Sequence, residues 1–280
     1  MSHSTSVPKS PSRRAEKPDP FRFGWRYVQE IGPDGSKVRK QVPLTLDDVL
    51  HPQEGDHISD NTQQEHDCTY LASVLRYRLA DIPTTVVLND CLINWGIRGL
   101  RNHSPDISVF EGVSNPHRHW RTFSVARENA RPVLAIEIVS PDAHDRQARD
   151  NDVVTKVREY YRAKVPLYVL VDQERVDGPR RLVGYRRGPR KYVPMAQDER
   201  GRLLLEGLRL RIGLREERVV CWDADTDEEI GDFTHAMREY RETEAARLAE
   251  MQARQAAEAA LADALARIRE LETRRDRAER

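Results

Sequence analysis

Cysteine is scarce in this sequence: Cys68, Cys91 and Cys221 are three in 280 residues, odd in number and without a C-x-x-C pair. That argues against a disulfide framework or a zinc knuckle and fits a reducing cytoplasm. Aromatics make up only 6% and hydrophobic residues 38%, against 33% charged, an apolar share below that of ordinary globular chains. Nowhere does an apolar run approach the ~18 residues that span a bilayer. The first twenty residues carry Lys9, Arg13, Arg14 and Lys17 but no apolar core of signal-peptide length follows them. The expectation is a cytoplasmic protein without membrane association. Excess charge is lacking too: 46 Lys plus Arg balance 46 Asp plus Glu. Bulk charge therefore does not hold this chain to nucleic acid, and any basic site must be local.

What is present is enough length for one large domain with appendages. Residues 1–20, rich in Ser, Pro, Lys and Arg, have almost nothing to bury and read as a disordered tail. Two strand-like runs flank Gly32-Pro33-Asp34-Gly35 and predict a hairpin. Thr45-Leu46-Asp47-Asp48 has capping-box form and predicts a short helix. Over 59–80, Ser59 or Asp60 serves as N-cap and Leu71, Val74, Leu75 and Leu79 fall at helical spacing.

Three apolar segments follow, TTVVL, CLINW and DISVF, and then PVLAIEIVS, apolar enough to be central in its sheet. A helix from Asp150 or Asn151 to about Lys164 and the strand LYVLV complete a mixed α/β core. From Arg180 to Trp222 short strands are expected to extend the same sheet. Residues 21–230 thus read as one α/β domain. Residues 231–280 turn to Ala, Glu, Arg and Leu and predict a long helix, with Leu261, Ala264, Ile268 and Leu271 as a short coiled-coil seam that fails upstream at Arg254 and Arg247.

The chemistry centres on two carboxylates carried by apolar strands, Asp106 after Pro105 and Glu137 within VLAIEIVS. A carboxylate in a buried strand is costly unless a cation or strong donors compensate its desolvation. Metal-assisted phosphodiester hydrolysis needs a few oxygen ligands, here Asp106, Glu137 and the carbonyl of Ile138, with positions left open for water and phosphate. Lys156, on the helix after the Glu137 strand, can reach back to orient the attacking water.

Pro105-Asp106, then Glu137-Ile138-Val139-Ser140-Pro141, then Lys156 with Tyr160 or Tyr161 and Val165-Pro166-x-Tyr168 resemble the Uma-two family of restriction endonuclease-like proteins, within the PD-(D/E)XK nuclease superfamily. The resemblance covers roughly residues 44 to 223. It implies a restriction endonuclease-like fold, with a mixed sheet flanked by helices, and a divalent metal, Mg²⁺ or Mn²⁺. It also implies nucleic acid, foremost DNA, as substrate. Carried over residue by residue, Asp106 and Glu137 become metal ligands and Lys156 the catalytic lysine. Where the superfamily has lysine two positions after the glutamate, this chain has Val139, so the lysine is displaced onto the following helix.

Plainer roles compete. Asp106 also reads as a strand start, Lys156 as a solvated partner of Asp152, and Ser140 as a loop cap. Glu65 and His66 read as exposed, and His117 with His119 lacks further ligands at zinc spacing. Asp142, Asp145 and Asp150 form an acidic loop. Arg180, Arg181, Arg186, Arg187, Arg190 and Lys191 cluster on a predicted hairpin, as phosphate contacts or as a charged, aggregation-resistant edge. Trp95 and Trp120 are stackers of bases or core residues. An endonuclease, acting as a homo-oligomer such as a dimer, is the reading the residues favour. A nuclease fold retained for nucleic-acid binding or assembly is its rival.

Overall fold

The computed structural model describes residues 19–278 except 34, 59–61, 140–145 and 174–177. The tail expected over 1–20 falls almost entirely outside that set, as do Ser59, Asp60, Ser140, Asp142 and Asp145. The chain divides into two compact units, Met1–Thr226 and Asp227–Arg280.

The first unit opens with the antiparallel hairpin β1 (Gly24–Ile31) and β2 (Lys37–Pro43). Helix α1 (Leu46–Leu50) follows, its capping box made reciprocally by Thr45 and Asp48. The short strand β3 (His57–Ile58) pairs with β1. Helix α2 (Thr62–Arg78) buries Asp67, Cys68, Tyr70, Leu71, Val74 and Leu75. This is the predicted face, and each fully buried aliphatic chain contributes about 2 kcal/mol, an upper estimate.

A six-stranded sheet forms the centre, in the order β11 (Tyr192–Pro194), β10 (Arg180–Arg187), β9 (Leu167–Gln173), β8 (Arg131–Ile138), β6 (Ile107–Glu111), β4 (Val86–Asn89). Strands β8 and β9 run parallel, and the other neighbours in this sheet run antiparallel. A parallel pair needs a crossover, which α4 (Arg146–Arg162) supplies. It starts ahead of the expected Asp150 because Arg146 to Arg149 are themselves good helix formers. The central position of β8 and β9 explains their continuous apolar sequences: no face of either is left to water. Strand β5 (Leu92–Asn94) leaves this sheet to pair in parallel with β7 (Thr122–Ser124), which leads into the one-turn α3 (Val125–Glu128).

The strands after Arg180 do not all extend the main sheet, as the sequence suggested. Only β10 and β11 do, while β12 (Leu203–Leu205), β13 (Leu210–Arg215) and β14 (Arg218–Asp223) pair among themselves. Two local features explain the break. Pro194 in the three-residue β11 has no N–H to offer a further strand. Gly184 in β10 lets Leu203 settle on the sheet's face, where an added Cβ would lie 2.7 Å from Leu203 Cδ1. The second unit carries β15 (Glu229–Ile230) and the 46-residue helix α5 (Phe233–Ala278). Among the described residues no helix is long and apolar enough to cross a membrane.

Candidate active site

Strands β6 and β8 set the spacing of the two acids. Their ladder matches Ile107 with Ile136 and Ser108 with Ala135, and one further step along that register brings Asp106 opposite Glu137. Directly opposed residues of an antiparallel pair project from one face with neighbouring Cβ atoms. Both acids are buried, and both line one cavity of about 1080 Å³ together with Ile138, Lys156, Gln64 and Asp90.

Each carboxylate is held by donors from a different element. Asp106 Oδ2 accepts the Ile138 N–H at 2.6 Å, and Oδ1 accepts Gln64 Nε2 of α2 at 2.8 Å. Glu137 Oε2 accepts Lys156 Nζ at 3.1 Å and Oε1 accepts the Tyr160 hydroxyl at 2.5 Å. Lys156 and Tyr160 stand one helical turn apart on α4, so a single helix face serves one carboxylate. Charge-assisted donors of this kind offset much of the desolvation of a buried anion.

Burial pushes the Asp106 carboxyl up to about 6, against the Ile138 and Gln64 hydrogen bonds and the Lys156 charge, with Asp90 adding to the rise. Tyr160 is pushed well above the phenol range by burial and by the Glu137 charge, so it stays a donor.

The sign of the resulting pH dependence follows from an acid whose folded value exceeds its ordinary 3.8. Below pH 3.8 both states hold the proton and Asp106 carries no penalty. As pH rises from 3.8 to about 6 the unfolded chain ionises first and folding weakens. The loss levels off near 3 kcal/mol, at about 1.4 kcal/mol per pH unit. Asp106→Asn, with Gln64 turning its amide to match, is expected to stabilise the metal-free protein by about 2–3 kcal/mol at pH 7.5. The gain should shrink towards zero at pH 4. Urea unfolding at the two pH values measures it, and a constant difference would contradict a buried, destabilised carboxylate.

A second buried group lies beside this site: His51, His103 and Glu159, with one ligand-type atom each within 4.8 Å of the others. The hydrogen bonds assign it a structural role. The Trp95 indole can only donate, and it donates to His103 Nδ1 at 2.8 Å. The His103 proton therefore sits on Nε2 and is donated to Glu159 Oε2 at 2.7 Å, leaving that imidazole no lone pair for a cation. Burial lowers the His103 value, keeping the ring neutral. Burial tends to raise Glu159, but the hydrogen bond from His103, with the Arg101 charge, brings it below the usual carboxylate range. The group anchors α4 next to Tyr160, whose ring lies 5.0 Å from that of His103.

Other expected site residues are dispersed. Arg180 is buried, paired with Asp67 Oδ2 at 2.7 Å, and so does not face nucleic acid. Arg181 pairs with Asp172 and Arg186 with Glu206, while Arg187 stacks on Tyr161. Arg190 and Lys191 are exposed in the turn beyond β10. The patch is broken up because alternate residues of a strand point to opposite faces. Glu65 and His66 are exposed on α2, with His66 against Arg218, and His117 and His119 are exposed in a loop. Trp95 is core, and half-buried Trp120 donates to Glu128. The partner considered for Lys156, Asp152, has a side chain outside the described set.

The family pattern described as "Putative restriction endonuclease", Uma2, matches residues 58–217. The chain belongs to the Uma2 family. Its mixed sheet flanked by helices is the restriction endonuclease-like fold, and Uma2 membership places the chain among nuclease-type hydrolases of phosphodiester bonds. A solved chain from Anabaena variabilis, titled a putative nuclease belonging to DUF820, is 16% identical, with 60% of this chain and 76% of that one covered and a TM-score of 0.32. No curated protein matches. In this Uma2 chain the sequence missed Gln64 and Asp90 as site neighbours, and it gave Tyr160 only as an alternative to Tyr161 within the family motif, with no role at Glu137. That role was open to detection, Tyr160 lying four residues after Lys156 on one face. Gln64 and Asp90 carry no local signal, since they reach Asp106 only through the fold.

Proposed function

We propose that this chain is a Mg²⁺- or Mn²⁺-dependent endonuclease acting on DNA, with Asp106 and Glu137 as the metal-holding pair and Lys156 as the catalytic lysine. The observation that carries the reading is the convergence of two buried carboxylates and an ammonium in one cavity open enough for a phosphodiester. The residues fit a hard divalent cation: each acid offers oxygen donors already oriented by protein hydrogen bonds, with lone pairs beyond those the donors use. Ile138 lines the same cavity, and its carbonyl is the third oxygen in the proposal.

A cation held there supplies positive charge against the charge that builds on the phosphate as it is attacked. Lys156 is held by Glu137 and, as a donor, orients water towards the phosphorus and stabilises the developing anion. Tyr160 fixes the Glu137 rotamer. Arg22 and Arg121 line the same cavity and take the phosphate-contact role ahead of the β10 arginines, each contact steepening the salt dependence of binding by nearly one unit. The proposed setting is the cytoplasm.

Val139, in place of the superfamily lysine, is what favours the rival reading of an inactive nucleic-acid-binding or assembly module. Calorimetric titration with Mn²⁺ separates the two. Binding to the wild type that is lost in a variant lacking both acids, with plasmid nicking reduced about 100-fold or more in Lys156→Met, is the expected result. Absence of Mn²⁺ heat together with absence of nicking would establish the rival.

A further inference from the structure

Helix α5 exposes a row of large apolar side chains. Met251, Leu261, Leu265 and Ile268 are each 47–61% exposed, with Tyr240 at the start of the same row. The spacing from Tyr240 through Glu244, Arg247, Met251, Arg254, Glu258, Leu261, Leu265 and Ile268 alternates four and three residues without interruption. That is a heptad seam of about 42 Å. It differs from the seam through Ala264 and Leu271 in taking up Leu265 and Met251, and it passes through Arg247 and Arg254 rather than ending at them. Helices of this kind gain most of their stability from packing an apolar face, and this face is exposed to solvent in the single chain.

We propose that this face binds a second copy of the chain, and that the two α5 helices run antiparallel. Charge decides the occupant and the direction. In a parallel pair each seam residue meets its own copy. Four layers would then oppose like charges, Glu244, Arg247, Arg254 and Glu258 each against itself. In an antiparallel pair centred between Arg254 and Glu258, Arg254 meets Glu258 of the partner subunit, and the reciprocal contact repeats across the twofold axis. The same register places Met251 against the partner's Leu261, Arg247 against the partner's Leu265 and Glu244 against the partner's Ile268. Apolar layers thus flank the central ion pairs, and the outer charged residues lay their aliphatic stems on apolar partners. Within one helix Arg254 already lies 2.9 Å from Glu258, so the arginine stands at the seam beside the acid it exchanges for the partner's.

The inference gives the expected homo-oligomer a contact and a direction, and it is independent of the nuclease reading. Two full-length variants, Met251→Cys and Leu261→Cys, test it; the native cysteines are buried and do not compete. Sedimentation of the wild type should give a dimer mass. Under mild oxidation a mixture of the two variants should form the mixed disulfide at least about tenfold faster than either variant alone cross-links to itself. Arg254→Glu, which sets two acids against each other at both central layers, should raise the dimer dissociation constant about tenfold or more. A monomer mass, self-linking of Met251→Cys as fast as mixed linking, or a dimer indifferent to Arg254→Glu would each overturn the proposal. Circular dichroism of each variant shows that the helix is retained.

Discussion

Glu137→Gln is expected to lower metal-dependent nicking by about three orders of magnitude, close to 4 kcal/mol of transition-state stabilisation. The substitution keeps shape and volume in a buried, central strand and removes one negative charge. Tyr160 can still donate to the amide oxygen, so the rotamer is retained, whereas the ammonium of Lys156 faces a neutral amide where it had a carboxylate and the cavity loses one of its two paired acid charges. The loss should therefore fall on activity and Mn²⁺ affinity and spare folding. Nicking rates measured beside urea unfolding curves give both numbers for each protein. A variant that cuts like the wild type at equal stability would remove Glu137 from the chemistry.

The largest effect on stability is expected away from the site, at Asp67. On α2 this acid meets the Arg180 guanidinium at 2.7 Å, and both side chains are at least 96% buried. The same guanidinium donates to the Glu217 carbonyl at 2.6 Å, while the Arg180 N–H donates to Glu217 Oε2 at 2.7 Å. Asp67→Ala leaves the guanidinium buried with only that carbonyl as a described acceptor, and such a break costs about 3–5 kcal/mol. Arg180→Met added to it removes the stranded charge and should recover more than half of the loss. Urea midpoints of the two variants against wild type measure this, and additive losses would show that the pair is not coupled.

The same pair shows where sequence reading stops. Arg180 read as one of six cations on a hairpin because charge is visible in a sequence and its burial is not. Only the fold, which brings Asp67 of α2 and Glu217 against it, makes it internal. The α2 face, the capping box at Thr45 and the central β8 strand were legible because each depends on local spacing. Asp106 and Glu137 were legible for a related reason, a carboxylate in an apolar strand being anomalous wherever it occurs. His103, by contrast, stands in a Gly-rich basic loop with no periodicity, and its tie to Glu159 spans 56 positions. The separate pairing of β12 to β14 was hidden because short strands divided by turns look alike whichever sheet they join.

Between Val109 and Phe110 the pairing of β6 with β8 slips by one residue, so that Val133 has no opposite number. A bulge cannot be carried along a ladder without disrupting every neighbour, and this one blocks sliding of the two strands that present Asp106 and Glu137. Their alignment is therefore a property of the strand pairing itself. For the divalent ion proposed to sit between the two acids, a pair aligned in advance would forfeit little chain entropy on binding and would leave discrimination among cations to the spacing of the carboxylates.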